Sequence, residues 1–393
     1  MDFGLSDELR MLKDGARRFV GQELMPHESA YANDPDIPDE LRARLQARAK
    51  TLGFWAFDLP EAYGGGGVGV LGMCVVMEEL AKCNIPAFRA PTVFTPYLGP
   101  VLFRGTDAQK EKYLLPVIRG DKRTCFALTE PNAGSDPSQM TTTAIPTATG
   151  DRYRINGRKV FITGADKADF VQLFARIGDD PKKGITCFVL DRDTPGMRLG
   201  QSFEMMSPDR PWEIVLDDVE VSAEQVVGGE GGVGRGWELA REFLDMGRLI
   251  HGPKAIGRAE RALEMAIGYA NERKTFGAPL ASRQAIQWMI ADSTVELHAA
   301  RTMTYHAAWK ADRGLDFHVE ASAVKLYADE MLVRVVDRAI QVHGGIGLSR
   351  ELPLELMYRD ARSRTITEGS SEMQRMIIAS EMLSRRGSVN RVT

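Results

Sequence analysis

Two stretches near the C-terminal end of this chain repeat apolar residues with the period of an α-helix, and they constrain its architecture more than any other feature. Ala255, Ala259, Ala262, Leu263, Ala266, Ile267 and Ala270 form one face at i, i+4, i+7 and i+8 spacing, and Val324, Ala328, Met331, Val335 and Ala339 form another. Long helices with such faces suit a bundle, so residues 229–393 are expected to form one. The preceding region carries short alternating runs separated by Gly, Asp and Pro, including "YRINGRKVFITG", "FVQLFARI", "GITCFVLDRD" and "EIVLDDVEV". These read as strands of a central antiparallel β-domain over residues 123–228. Residues 1–122 return to the helical pattern: "SDELRMLKDGARRFV" starts with a serine cap, "PDELRARLQARAKTLG" ends at glycine, and "GVLGMCVVMEELAK" is largely apolar. The expected fold is therefore α+β and multi-domain, in the order helix, sheet, helix. A chain of 393 residues exceeds what one core usually serves.

Composition narrows the partners. A formal net charge of −4 and a pI near 6.0 provide no global attraction to nucleic acid or to an anionic membrane. The four cysteines, Cys74, Cys83, Cys125 and Cys187, make no C-x-x-C pair and no disulfide framework, which fits a reducing compartment. The N-terminus, "MDFGLSDELRMLKDGARRF", is a charged amphipathic helix without a signal-peptide core or a spanning segment. A cytoplasmic protein with no membrane span is the expectation.

Several motifs invite a function and lack its context. "GGGGVG" at 64–69 and "GGEGGVGRG" at 228–236 resemble nucleotide loops, but a dinucleotide site needs a strand before the glycines and a helix and parallel strand after them. The first has helix on both sides, and the second leads from the β-domain into helices, so turns and linkers are the reading. His27, His251, His298, His306, His318 and His343 include no pair at metal-ligand spacing, and no metal is expected. Ser135 in "NAGSD" has no obvious histidine partner and reads as part of a hydrogen-bonding turn.

"RTITEGSSEMQRM" at 364–376 places a glutamate, Glu368, between β-branched residues and a glycine. Thr365, Ile366 and Thr367 favour extended backbone, and Ser371 with Gln374 has capping-box spacing, so Glu368 is expected on a short strand-to-helix connection. Met373, Met376, Ile377 and Leu383 form a stripe that would pack the following helix inward. Two readings of Glu368 stay open at this level: a base held on a fixed connection, or a carboxylate that favours the positive end of a helix.

Three stretches together, "FALTEPNAGSD" at 126–136, "ERKTFGAPLASRQ" at 272–284 and "QVHGGIGLSRELPLELMYRDARSRTITEGSSEMQR" at 341–375, resemble the acyl-CoA dehydrogenases. The resemblance covers nearly the whole chain, in the family's order. It implies a FAD enzyme of fatty-acid metabolism that removes hydrogens from the α and β carbons of an acyl-CoA thioester. It also implies electron delivery to an electron-transferring flavoprotein and a homo-oligomer, a dimer or a tetramer. By the same resemblance Glu368 is the catalytic base, its own backbone N–H helping to hold the thioester oxygen. Burial against flavin and acyl chain would then raise its basicity. Residues carried over as FAD contacts are Phe126, Leu128, Thr129, Ser135, Phe161 and Thr163 from the β-domain, Arg273, Thr275, Phe276 and Gln284 from the R-x-T-F-G segment, Gln341, Gly344 and Gly345 from the glycine loop, and Ser370 and Glu372 after the base. Ser135, Asp245, Arg248 and Gly369 match substrate-contacting positions. Without the resemblance, Phe126, Leu128 and Phe161 could be plain β-core, Arg273 a surface ion pair, Ser370 and Ser371 helix caps, and Asp245 with Arg248 a local i, i+3 pair.

The chain also departs from the family's pattern. Many relatives carry Trp at Phe161, Gln at Glu372 and Arg at Ser380. Some branched- and long-chain members place their base at the position of Gly247, a role glycine has no carboxylate to fill. "GRLIHGPKAIGRAERALEMA" is similar to a subgroup acting on longer or hydroxylated acyl chains. The alternatives to a dehydrogenase are an acyl-CoA oxidase using O2 and a flavin-free relative that only binds acyl-CoA.

Overall fold

The computed structural model describes residues 4–85, 93–180 and 184–384. Its helices are α1 (Asp7–Phe19), α2 (Met25–Tyr31), α3 (Asp39–Thr51), α4 (Gly69–Leu80), α5 (Asp107–Gln109), α6 (Leu115–Arg119), α7 (Gly236–Glu272), α8 (Gln284–Asp312), α9 (His318–His343), α10 (Leu354–Arg364) and α11 (Ser371–Ser384). Its strands are β1 (Thr124–Ala127), β2 (Thr143–Pro146), β3 (Arg152–Ile162), β4 (Phe170–Arg176), β5 (Ile185–Asp191), β6 (Met197–Ser202), β7 (Trp212–Ser222), β8 (Lys274–Thr275) and β9 (Ala278–Pro279). The chain divides into two compact units, one of Met1–Asp34, Val68–Phe88 and Asp245–Thr393, the other of Pro35–Gly67 and Arg89–Leu244.

The first unit is helical. The Ser6 hydroxyl accepts the Leu9 N–H and opens α1, with Asp7 and Glu8 in the first turn and Arg17 and Arg18 in the last, where the helix dipole favours each sign. Both predicted stripes are core: Ala255, Ala259, Ala262, Leu263, Ala266 and Ala270 of α7 meet Ala328, Met331, Val335 and Ala339 of α9 in one cluster, together with Leu297 and Ala300 of α8, and Val324 of α9 is also buried. Ile267 is the exception, 39% exposed. Close approach is what the small residues serve. A Cβ at Gly257 would lie 1.9 Å from the Glu78 carbonyl oxygen, so α7 and α4 cross where only glycine fits.

The second unit is built on a mainly antiparallel seven-stranded sheet of order β1-β4-β2-β3-β7-β6, with β5 also on β4. Two pairs are parallel, β1 with β4, from Thr124 opposite Phe170 to Ala127 opposite Leu173, and β2 with β4, Thr143 opposite Arg176. Strands β4 and β5 are apolar almost throughout because both faces are covered. Phe170, Phe174, Cys187 and Val189 enter one core, and Val171, Leu173, Phe188 and Leu190 the other. The glycine runs are turns: a Cβ at Gly65 would sit 2.1 Å from the Leu59 carbonyl oxygen, and Gly229–Gly232 form a 3-10 turn before α7. Among the described residues no helix is long and apolar enough to cross a membrane.

Three local expectations are corrected around Glu368. The segment before it is a turn at the end of α10, not a strand: the Ile366 and Thr367 N–H groups donate to the Ser363 carbonyl oxygen at 3.1 and 3.2 Å, and the Thr365 hydroxyl donates to the Arg362 carbonyl oxygen at 2.9 Å and accepts Arg362 Nη1 at 2.6 Å. Ser370, not Ser371, accepts an N–H at the start of α11, that of Met373 at 3.4 Å. The apolar stripe of α11 turns inward only in part: Met373 and Ile377 are half-buried, Met376 is 57% and Leu383 80% exposed, and the buried residues are Ser371 and Gln374.

Candidate active site

Glu368 lies in a helix-turn-helix corner whose backbone enters the left-handed region at two successive residues, Glu368 at φ 55° and Gly369 at φ 90°. Glycine adopts that conformation freely, whereas a glutamate there is strained by about 1–3 kcal/mol. Gln374 holds the corner. Its side-chain amide donates to the carbonyl oxygens of Gly369 at 2.9 Å and of Glu368 at 3.3 Å, which explains why a glutamine is buried at the start of α11.

The corner aims the Glu368 carboxylate at α7 and α9. A Cβ built on Gly247 would lie 2.1 Å from Oε2 of Glu368, so the carboxylate occupies the space a side chain at 247 would need. His251, one turn further along α7, points Nε2 at the same oxygen from 3.8 Å and places Nδ1 2.8 Å from Oδ2 of Asp329 on α9. Lys325, one turn before Asp329, brings Nζ to 3.5 Å from that Oδ2. Oε2 of Glu368 is buried without a hydrogen-bond partner, although a third of the side chain's surface stays open. A strained, partly open carboxylate with an unsatisfied oxygen is built for something other than stability.

The electrostatics differ from the sequence expectation. Burial does push the Glu368 carboxyl upward, but His251, Lys254 and Lys325 outweigh it and bring the group to about 2. Burial likewise pushes His251 down, and the Asp329 and Glu368 carboxylates more than reverse it, leaving the imidazole above its usual range. The sequence reading missed His251, Asp329 and Lys325. Their only signal was the presence of three ionisable residues inside otherwise apolar helical stripes.

Of the substrate candidates, Asp245 and Arg248 form the local pair, Nη1 to Oδ1 at 2.8 Å, and Nδ1 of His318 meets the same Oδ1 at 2.8 Å. Gly369 is next to Glu368 in the corner, and Ser135 is exposed in the second unit.

The flavin candidates of the second unit come together through a buried lysine. Lys159 Nζ donates to the Leu128 carbonyl oxygen at 3.1 Å and to Glu130 at 2.8 Å, and the Val160 N–H donates to the Thr129 carbonyl oxygen at 2.9 Å. These bonds join "FALTE" to "KVFIT". A register shift between Lys159 and Ile162 puts Phe161 at φ 57° and turns its ring outward, 51% exposed and 4.6 Å from Phe203. Thr163 follows it, half-buried. Phe126 does the reverse: it stacks on Phe243 at 4.0 Å as core, and Leu128 is 8% exposed.

In the first unit, Arg273, Thr275 and Phe276 sit on the β8–β9 hairpin and Gln284 opens α8. Phe276 is 99% exposed at φ 50°, and Arg283 binds the Thr275 carbonyl oxygen beneath it. Gln341, Gly344 and Gly345 end α9, with Gly344 at φ 65° and open space where a Cβ would stand on either glycine. Tyr269 and His343 stack at 4.5 Å and tie the end of α7 to this turn. Ser370 caps α11, while Glu372 faces an open cleft of about 350 Å³ lined also by Glu330, Arg334, Arg362, Thr365 and Ile366. Outward aromatic rings, an exposed arginine and glycines open to close approach are the donor and stacking set a dinucleotide such as FAD requires. No three His, Cys, Asp or Glu side chains among the described residues are placed to hold a metal.

Comparison with known proteins bears on the family and the fold. Residues 6–121 match the acyl-CoA dehydrogenase N-terminal domain, 125–219 the middle domain and 234–383 the C-terminal domain. The chain is 39% identical over 401 residues to (R)-benzylsuccinyl-CoA dehydrogenase of Thauera aromatica, covering 98% of this chain and 97% of that one. It is 36% identical over 386 residues to the caffeyl-CoA reductase-Etf complex subunit CarC of Acetobacterium woodii, covering 97% and 99%. The solved structure of butyryl-CoA dehydrogenase from Megasphaera elsdenii superimposes with a TM-score of 0.85 at 35% identity, over 98% of this chain and all of that one.

Proposed function

The chain belongs to the acyl-CoA dehydrogenase family, a FAD-dependent family of oxidoreductases, and from that premise we propose that it dehydrogenates an acyl-CoA thioester to the trans-2-enoyl-CoA with Glu368 as the base. The observation that carries this reading is the Glu368 corner: a left-handed glutamate with one unpaired carboxylate oxygen, facing the gap over Gly247. Glu368 takes the α-proton, and its backbone N–H would be the donor toward the thioester oxygen on which enolate charge develops. FAD, when bound, supplies the acceptor for the β-hydrogen. Phe161 and Thr163 would line its ring, with Ser135 beside them, while Arg273, Phe276 and Gln284 with Gln341, Gly344 and Gly345 would hold the dinucleotide. Phe126 and Leu128 would support that site from the core.

The exposure of Phe276, together with Trp288, Val295, Leu348 and Met376 on the helical unit, supports a homo-oligomer in which one protomer covers another's FAD. An electron-transferring flavoprotein is the proposed electron partner, in line with the Etf complex named for one relative. The same relative's reductase name favours a second reading, reduction of a 2-enoyl-CoA by reverse passage through the same site.

The test is the visible spectrum of the purified protein, recorded without oxygen before and after acyl-CoA thioesters of graded length and branching. Bleaching of bound flavin by one class of thioester supports the dehydrogenase and names its substrate class. Flavin that no saturated thioester reduces, but that enoyl-CoA reoxidises after dithionite, favours the reductase. Colourless protein after FAD is supplied overturns the proposal.

A further inference from the structure

His251 is 5% exposed on α7, and two carboxylates from different elements address its two nitrogens, Asp329 at Nδ1 and Glu368 at Nε2. A buried carboxylate at Nδ1 keeps a proton there, as an orienting carboxylate does for any working imidazole. The variable proton is therefore the one on Nε2, the nitrogen that faces Glu368. At 3.8 Å the pair is longer than a hydrogen bond and within ion-pair range, close enough to act through charge and to close with a small side-chain movement.

The other groups facing this ring are few. Lys325 comes from α9, next to Asp329, and Arg248 and Lys254 lie one turn to either side on α7 itself. From α8, Arg301 is engaged by Glu78 and Glu260 and does not address the ring. Asp329 keeps one oxygen, Oδ1, without a partner, so neither end of the Asp329–His251–Glu368 series is saturated. Two open valences on one buried series call for an explanation beyond filling the helix interface.

Resting on the reading of Glu368 as the base, we propose that His251, oriented by Asp329, is the positioning residue that sets the strength of Glu368. With Nε2 protonated, the imidazolium pairs with the carboxylate, holds it toward α7 and makes it a weak base. When the Nε2 proton leaves to solvent, the ion pair dissolves and Glu368 regains the basicity that α-proton abstraction needs. Proton abstraction then depends on two residues although only Glu368 touches the substrate.

The test uses the FAD-loaded enzyme and the rate of flavin reduction by its thioester as a function of pH, beside the ring titration of His251 followed by 15N-histidine NMR in the resting protein. In the native enzyme the rate should rise with pH by up to about tenfold per unit, as one controlling proton allows. The rise should level off above the ordinary histidine range of about 6.5. His251→Gln, which keeps a neutral donor, should flatten that limb while FAD absorbance shows the site intact, and Asp329→Asn should move it to lower pH. Glu368→Gln should lower the titration of the His251 ring, a readout independent of turnover. A His251→Gln profile that superimposes on the native one overturns the proposal and leaves the base reading standing. A ring titration indifferent to Glu368→Gln overturns it as well. Flavin reduction that survives in Glu368→Gln overturns the base reading itself and this proposal with it.

Discussion

Glu130 in the unit that carries the sheet and Glu368 in the helical unit are both carboxylates brought to about 2, and their surroundings could hardly differ more. Glu130 is 2% exposed and saturated: it accepts the Thr141 N–H at 2.6 Å, the Thr141 hydroxyl at 2.7 Å, the Thr142 N–H at 3.0 Å and Lys159 Nζ at 2.8 Å. Burial pushes it up, and that ring of donors overcomes the push. Glu368 owes its low value to cations it does not fully engage, keeps one oxygen unpaired and sits on strained backbone. A carboxylate whose valences are filled is structural, because protonating it breaks several bonds at once. One with an empty valence can accept a proton and stay where it is.

The contrast is sharpest in Glu368→Gln. Flavin reduction by thioester should fall by about 10²–10⁴-fold, the range for loss of a positioned base, while the thermal midpoint and FAD content hold. A variant that keeps native reduction, measured by stopped-flow, breaks the contrast outright. Lys159→Met should do the opposite, leaving Glu130 buried without its cation at a cost of about 3–5 kcal/mol in urea unfolding. The sign of the pH dependence follows from the depressed Glu130 value. Its stabilisation is fully present above the ordinary 4.5 and is lost as pH falls toward about 2, so acid unfolding of the native protein should lose part of its steepness in Glu130→Gln.

Smaller effects refine the comparison. Gly247→Ala places a methyl where Oε2 of Glu368 now stands, 2.1 Å away, and the carboxylate can swing aside. Activity should drop about 10²-fold, as misplacement of a reacting group by an ångström allows. Stability measured by calorimetry should scarcely change. Glu368→Gly removes the base and also the strain of a left-handed non-glycine residue. That variant should be inactive and more stable than the native protein by about 1 kcal/mol, seen as a raised unfolding midpoint. A destabilised Glu368→Gly protein would mean that the carboxylate is structural after all.

Periodicity by itself determined the helix, sheet, helix order, the α7 and α9 core stripes and the strands β3, β4, β5 and β7, because burial of one face is a local property that each segment writes into its own spacing. The glutamate and the following glycine of the Glu368 motif were equally legible as neighbours in the chain, but the capping serine fell one residue from the expected Ser371, at Ser370. Tertiary structure decided the rest. Thr365 to Thr367 have β-branched side chains yet form a turn, because the hydrogen bonds offered by the end of α10 outweigh a propensity of a few tenths of a kcal/mol. The outward face of α11 depends on what packs against it, which no spacing records. The values of Glu368 and His251 depend on Asp329, Lys325 and Lys254, and an electrostatic field is a sum over neighbours in space. Residues 251, 329 and 368 are dozens of positions apart in sequence and within a few ångströms in the fold, so only folding could show that Glu368 has a partner.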